Sequence, residues 1–477
     1  MRPHREASRE DWSARGGRVG RSVDGLPGTD QGLRMPWSRS ERPVPRRVLK
    51  PLQSFLEQEA ASGVLLLLAT IVALLWANSP WRASYEDLWH TVLRVRVGPW
   101  AIAEDLRQWV NDALMALFFL VVGLEIKREV LTGELRDARA AALPAIAALG
   151  GMVVPALLYI GLNAGGEGSR GWGIPMATDI AFALGVLTIA ARYAPPNLKP
   201  FLLTLAIVDD IGAIVVIALF YSGGITWGAL GVAAAICLLI AFLKRIHVRS
   251  TPVYVVLGVA VWVAVFESGV HPTIAGVSLG LLTPAVPFQR PRAVSDEAHR
   301  VADETVDHPS PPDVDAHHWL HLEVLSREAV SPLARVESAL HPWTSFVIVP
   351  AFALANAGVR VTAEAIGDAA TSTVGVGIVL GLVVGKLAGI SVASWAAVRT
   401  GLARLPDGVT WLHLMGTAAV AGIGFTVSLF IAELAFTGVR LTNTAKVGIL
   451  AASLLAGALG YAVLRVGGRG PAWEGGE

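Results

Sequence analysis

The sequence predicts an all-α membrane protein with twelve transmembrane helices, and its composition and apolar runs are the observations that predict it. Of the 477 residues, 53% are hydrophobic and 16% are charged, and the mean hydropathy is +0.54. A soluble domain carries about 25% charged residues. Runs of about 20 apolar residues are long enough to cross a bilayer as helices. The net charge of +1 argues against a nucleic-acid partner.

Twelve apolar runs follow one another along the chain, and an even number places both termini on the same side of the membrane. The predicted spans are 60–77, 105–126, 141–162, 173–191, 198–221, 225–243, 252–267, 270–286, 342–358, 374–397, 411–435 and 443–464. With the N-terminus inside, the inner segments hold 30 Lys and Arg residues and the outer segments hold 7. Because cytoplasmic loops are enriched in Lys and Arg, both termini are predicted to be cytoplasmic.

The segments outside the spans complete the predicted domain organisation. Residues 1–50 hold 12 Lys and Arg residues against 6 Asp and Glu, with no apolar stretch, and indicate a disordered cytoplasmic extension rather than a signal peptide. Helices 1–8 occupy 51–286, an acidic, histidine-containing cytoplasmic loop occupies 287–340, helices 9–12 occupy 341–466, and 467–477 form a tail. The single cysteine, Cys237, lies in an apolar run and is assigned to packing.

Two adjacent carboxylates, Asp209 and Asp210, lie midway along one predicted span. An ionised Asp at the centre of a membrane helix costs at least ~2.5–3.5 kcal/mol. Consecutive helical positions are about 100° apart, so one carboxylate can face a cavity while the other faces a partner. Asp179 and Lys386 are the other central charges, and Lys386 must lose its proton or find a carboxylate. The four indicate a cation or proton site; a buried ion-paired dyad with a structural role is the alternative.

Two spans are interrupted by residues that weaken a helix. Pro175, Thr178 and Asp179 fall together in one of them, and Gly422 to Thr426 interrupt the other. Each interrupted span is the middle member of three consecutive spans. The first triplet is 141–162, 173–191 and 198–221, and the second triplet is 374–397, 411–435 and 443–464. Matching interruptions in two repeats are a pointer to a secondary-transporter site at the bilayer midplane, although a proline kink without function is an alternative for the first.

Six motifs in order along the chain resemble the NhaA sodium/proton antiporter family, over about Pro51 to Arg465 with extra sequence around 290–325. The motifs are Gly123–Glu129, Ala177–Gly185, Val208–Ala213, Leu340–Trp343, Phe352–Gly358 and Gly422–Thr426. The resemblance implies a twelve-helix bacterial inner-membrane protein with inverted repeats and two crossed, discontinuous helices at the midplane. It also implies export of Na⁺ or Li⁺ in exchange for more than one external H⁺, a homodimer in the lipid bilayer, and no cofactor besides the transported ions.

The same resemblance implies roles for individual residues. Asp210 is the principal cation ligand, and Asp209 pairs with Lys386 and shares proton and cation binding. The implied cation and proton site consists of Asp209, Asp210, Thr178, Asp179, Lys386 and Asp112. The implied pH-sensing group consists of Glu125, Arg128, Glu129, Glu337, His271 and His341. Two positions depart from the family pattern: Leu387 stands where well-studied members carry Pro, and Ser338 stands where they carry His. The change at Ser338 affects the pH at which exchange is expected to become active.

Two other classes of protein also bury charges in a membrane. An intramembrane aspartyl protease needs two carboxyl groups from separate helices around one water molecule, a mechanism in which Lys386 has no place. A cation channel is the nearer rival, but twelve unequal spans in one chain offer no ring symmetry of filter residues. A secondary transporter, not an enzyme, is therefore the predicted class.

Overall fold

The computed structural model describes residues 60–98, 100–190, 195–307 and 312–467. The predicted extension 1–50 and the predicted tail beyond Gly467 lie outside these ranges. The described chain is almost entirely helical, as predicted, because the long apolar runs satisfy their backbone hydrogen bonds within each helix.

The first half of the described chain contains ten helices. These are α1 (Ala60–Ala77), α2 (Arg82–Trp89), α3 (Leu106–Thr132), α4 (Ala138–Asn163), a 3-10 helix (Ser169–Met176), α5 (Ile180–Ala190), α6 (Leu198–Phe220), α7 (Trp227–Arg245), α8 (Thr251–Glu267) and α9 (Thr273–Leu282), with a short 3-10 turn at Glu134–Arg136.

The second half continues with helices of more varied length. These are α10 (Pro291–Asp307), α11 (Pro312–Glu328), α12 (Pro332–Asn356), α13 (Ala363–Thr371), α14 (Thr373–Arg399), α15 (Trp411–Val420), α16 (Phe425–Ala435) and α17 (Val439–Gly467).

The described chain contains several helices that can span a membrane, which makes this a multi-pass membrane protein. Within the described residues, seven helices are long and apolar enough to cross a bilayer, namely α3, α4, α6, α7, α12, α14 and α17. The number rises to ten if each of three bent helix pairs counts as one span, and α8 and α9 are shorter apolar helices. Every predicted span overlaps a helix, while the total of twelve spans stays a prediction.

Two features between the spans did not follow from hydropathy. Residues Val92–Val97 and Trp100–Asp105 form an antiparallel hairpin, β1 and β2, and the three valines of β1 favour a strand. The predicted acidic loop contains α10 and α11, which bury Val294, Val301 and Leu322. On α10, hydrogen bonds from Arg300 hold the pKa of the half-buried Glu297 carboxyl below its usual range.

Three spanning helices contain one π-helical turn each, at Val110–Leu114 in α3, Thr344–Ile348 in α12 and Leu380–Gly385 in α14. A π-turn inserts one residue into the helix and changes the direction of the side chains beyond it, and such turns are frequent at functional sites. The turn in α3 contains Asp112, and the turn in α14 ends immediately before Lys386. Two charged side chains are thereby turned towards the protein interior, where both are buried.

Candidate cation site

The two interrupted spans contact each other at their interruptions. The 3-10 helix and α5 are bent by 41° at their break, and α15 and α16 are bent by 45° at theirs. The Asp179 amide donates to the Ile423 carbonyl at 2.6 Å, and the Thr178 hydroxyl lies 2.9 Å from the Ala421 carbonyl. Each break frees backbone groups that need partners inside a membrane protein, and the facing break supplies them.

The Asp179 carboxylate joins the starts of two half-helices. One oxygen accepts the Phe182 amide of α5 at 3.0 Å, and the other accepts the Thr426 amide of α16 at 3.1 Å and its hydroxyl at 2.8 Å. A helix N-terminus carries free N–H groups and a partial positive charge, which a carboxylate stabilises. Asp179 is 2% exposed, so it acts as a buried cap shared by both half-helices.

Lys386, Asp209 and Thr178 form one buried hydrogen-bonded group. The Lys386 Nζ lies 2.5 Å from Asp209 Oδ2 and 3.0 Å from Thr178 Oγ1, and the Thr178 hydroxyl lies 2.7 Å from the same Asp209 oxygen. Lys386 and Asp209 are both 0% exposed. Because an isolated charge is costly at such depth, the lysine and the carboxylate each serve as the other's counterion.

Asp210, the next residue on α6, is buried but less well paired. Its Oδ1 atom, like the Oδ1 atom of Asp209, accepts no hydrogen bond from the described residues. Asp209, Glu125 and Asp179 lie close enough to repel the Asp210 carboxylate, and Lys386 close enough to attract it. Buried acceptors normally have a partner, so two free carboxylate oxygens on neighbouring residues are the atoms to which a proton or a hard cation would bind.

Asp112 belongs to a different group from the central aspartates. Its carboxylate lies 3.5 Å from the ring of His271, which also contacts the Thr273 hydroxyl at 3.0 Å. The neighbouring Asn111 and Asn356 exchange amide hydrogen bonds between α3 and α12, the shorter at 2.8 Å. The structure therefore brings His271 to Asp112 and not to the other residues of the predicted pH-sensing group.

Four of the five remaining predicted pH-sensing residues lie towards the opposite end of α3, on α3 itself or on α12 beside it. Arg128 forms an ion pair with Glu337 of α12, and the Glu129 carboxylate accepts the Glu134 amide at 2.7 Å. Glu125 is half-buried, between this group and Asp210, which it repels. The exposed His341 side chain is not brought into this group by any contact that the structure describes.

Sequence reasoning gave no site role to three sets of polar residues that the structure brings into contact. The first is Thr426, which hydrogen-bonds to Asp179, and the second is the Asn111–Asn356 pair. The third is the ion pair between Glu433 and Lys446. All are polar residues inside apolar runs, so the same signal that identified the central aspartates was present in the sequence for them as well.

A multi-pass helical chain with two broken helices in contact and buried, incompletely paired carboxylates belongs to the class of secondary transporters rather than enzymes. A family model described as Na⁺/H⁺ antiporter 1 matches residues 53–464. The chain therefore belongs to the Na⁺/H⁺ antiporter family, and the resemblance seen in the sequence is confirmed.

Curated relatives agree with the family model over most of their length. The chain is 46% identical over 429 residues to Na(+)/H(+) antiporter NhaA 2 of Sorangium cellulosum, a match that covers 89% of this chain and 92% of the relative. It is 48% identical over 408 residues to Na(+)/H(+) antiporter NhaA 2 of Myxococcus xanthus, covering 85% of this chain and 86% of the relative. It is 45% identical over 444 residues to Na(+)/H(+) antiporter NhaA of Janthinobacterium sp., covering 91% and 96%.

Proposed function

We propose that this protein exports Na⁺ or Li⁺ across a bacterial inner membrane in exchange for external H⁺. The observation that carries the proposal is the pair of unpaired carboxylate oxygens on Asp209 and Asp210 beside Lys386. The names of the relatives, all Na⁺/H⁺ antiporters, support Na⁺ and H⁺ as the exchanged ions, and Li⁺ is proposed only through the family resemblance.

The proposed mechanism is competition between a proton and a cation for the same oxygens. Burial disfavours the charged form of a carboxylate, so a carboxyl group in this position either holds a proton or binds a cation. Na⁺ is a hard cation that favours carboxylate, hydroxyl and carbonyl oxygens. Asp209 and Asp210 supply carboxylate oxygens, Thr178 supplies a hydroxyl oxygen, and the backbone of the broken helices supplies carbonyl oxygens. Loading of the cation then requires release of protons.

Exchange follows if the site opens alternately to the two sides of the membrane. We propose twelve spans arranged as inverted repeats, with the two discontinuous helices crossing at the midplane and both termini in the cytoplasm. The contact between the two breaks supports this arrangement. If two protons enter for each cation that leaves, the cycle moves net charge, and the membrane potential contributes about 2.3 kcal/mol per charge per 100 mV. The proposed cycle needs no resident cofactor, since the ions are cargo.

We also propose that exchange is regulated by pH and that the protein works as a homodimer in the lipid bilayer. The ion pair between the exposed Arg128 and the buried Glu337, with Glu125 close enough to act on both Arg128 and Asp210, supports a regulatory role for this group. Glu129, His271 and His341 are further members of the proposed pH-sensing group, of which His271 acts through its contact with Asp112.

The central test is Asp210→Asn in everted membrane vesicles from a host without its own Na⁺/H⁺ exchangers. Added Na⁺ is expected to dissipate the pH gradient in vesicles with the unchanged protein and not in vesicles with the variant, at equal protein content. Asp407→Asn, at an exposed loop position, is the matched control and is expected to keep full exchange. Normal Na⁺-dependent exchange by Asp210→Asn would refute the assignment.

A second measurement separates exchange from channel conduction. In proteoliposomes, an imposed pH gradient is expected to drive Na⁺ uptake against its own concentration gradient, because an exchanger couples the two flows. A channel would only let Na⁺ equilibrate.

A further inference from the structure

A second buried ion pair lies outside the proposed cation site. Lys446, in the second turn of α17, forms an ion pair with Glu433, in the last turn of α16. The side chains of Lys446 and Glu433 are 5% and 20% exposed. Arg107 and Glu86 are further charged groups that act on Lys446. Because the Lys446 ammonium is buried, a carboxylate partner such as Glu433 stabilises its charge. Ionisable groups inside membrane helices are rare and usually functional, and this pair has no role in the cycle proposed above.

Glu433 lies at the end of α16 that is far from the central site. The other end of α16 begins at Phe425, and its Thr426 donates two hydrogen bonds to Asp179. Seven residues separate Thr426 from Glu433, which is about 10 Å along a helix axis. The residues Leu429 to Ala432 between them are 0% exposed, and a closely packed interior has low compressibility and transmits strain. A shift at Glu433 is therefore transmitted to the contact with Asp179.

Lys446 lies on a helix that supports the other central charge. α17 packs against α14, and a methyl group on Gly448 would meet the Gly375 Cα at 3.4 Å, an ordinary van der Waals contact. α17 also packs against the π-turn Leu380–Gly385, which ends immediately before Lys386. The Glu433–Lys446 pair thus joins the helix that contacts Asp179 to the helix that supports the Lys386 segment.

We propose that the Glu433–Lys446 ion pair holds α16 and α17 in register and thereby sets the affinity of the central site for its cation. Both are positioning residues, since they act through Thr426 and Lys386 and not by contact with the cation. The inference rests on the proposed exchange activity and adds to it a determinant of cation affinity outside the central site. A merely structural pair would change the amount of folded protein and leave the affinity of the folded fraction unchanged.

The test compares Glu433→Gln, Lys446→Met and the charge reversal Glu433→Lys with Lys446→Glu, in proteoliposomes with equal amounts of folded protein. Each single variant is expected to raise the KM for Na⁺ by about fivefold or more, with the maximal rate changed less, because coupling between sites is typically 5–150-fold. The charge reversal is expected to return the KM towards that of the unchanged protein, as for a pairwise interaction. Arg440→Gln is the matched control: it breaks the exposed Arg440–Asp368 pair, also near the start of α17, and is expected to leave the KM unchanged.

The outcomes separate this inference from the proposed function. If the unchanged protein shows no Na⁺/H⁺ exchange, the proposed function fails and the inference fails with it. If the unchanged protein exchanges and Glu433→Gln keeps the same KM, only the inference is overturned. If the single variants do not fold, the charge reversal decides: a restored KM supports the pair, and a folded protein with a KM raised fivefold or more overturns it.

Discussion

Lys386→Ala is the substitution whose consequence follows most directly from the structure. The substitution leaves the Asp209 carboxylate fully buried with only the Thr178 hydroxyl as a hydrogen-bond donor. Removing one partner of a buried ion pair costs about 3–5 kcal/mol, because an uncompensated charge remains. The free energy of unfolding is therefore expected to fall by this amount at alkaline pH. The loss is expected to be smaller at mildly acidic pH, because protonation of Asp209 removes the uncompensated charge.

Thermal melting in detergent, followed by the fluorescence of the chain's 15 tryptophans, measures this effect at the two pH values. The double variant Lys386→Ala with Asp209→Asn is the control. It removes both charges and is expected to recover most of the lost stability, since replacing a whole buried pair is often nearly neutral. Equal melting of Lys386→Ala and the unchanged protein at both pH values would refute the reasoning, as would a double variant no more stable than the single one.

Two further substitutions test the packing around the site. Gly276→Ala places a Cβ 2.0 Å from a backbone carbonyl oxygen of α3 and is expected to lower the free energy of unfolding by about 1–3 kcal/mol, because it forces α9 and α3 apart. Gly231→Ala, whose Cβ would meet nothing within 4 Å, is the control and is expected to be neutral in the same melting assay. Equal losses of stability in the two variants would contradict the packing argument. Thr426→Val removes a hydroxyl 2.8 Å from the Asp179 carboxylate and is expected to lower the unfolding free energy by about 1.5–3 kcal/mol, as for a hydrogen bond to a charged group. Thr371→Val, at an exposed helix surface, is its control, and a melting temperature of Thr426→Val no lower than that of this control would show that the hydroxyl contributes nothing.

The charged residues of the central site could be found from the sequence pattern alone, whereas the pairing of Lys386 with Asp209 was expected only through the family resemblance. Asp179, Asp209, Asp210 and Lys386 stand out because a charge in the middle of an apolar run needs a reason. Lys386 is 177 residues from Asp209 in the chain, and which carboxylate it contacts depends on how the helices pack and on the π-turn before it. The sequence argument also could not show that His271 lies beside Asp112.

Hydropathy misjudged some segments because it averages over many residues. Lys446 is one of the 7 basic residues that the charge count assigns to the outer segments, although the structure buries it in an ion pair with Glu433 of α16. The β1–β2 hairpin was missed because two six-residue strands give a weak signal beside spans of about 20 residues.

The sequence by itself determined that this is a multi-pass helical membrane protein. It also determined which spans carry interior charges and which two spans contain helix-weakening interruptions. These properties depend on the composition of single helices in the hydrocarbon interior of a bilayer. The tertiary structure decided which backbone groups the two breaks offer each other and that Asp210 keeps a free oxygen. It also places Lys386 on Asp209, a pairing that the sequence offered only through its family resemblance. Those contacts join residues from distant helices, and the packing of the whole bundle sets their distances.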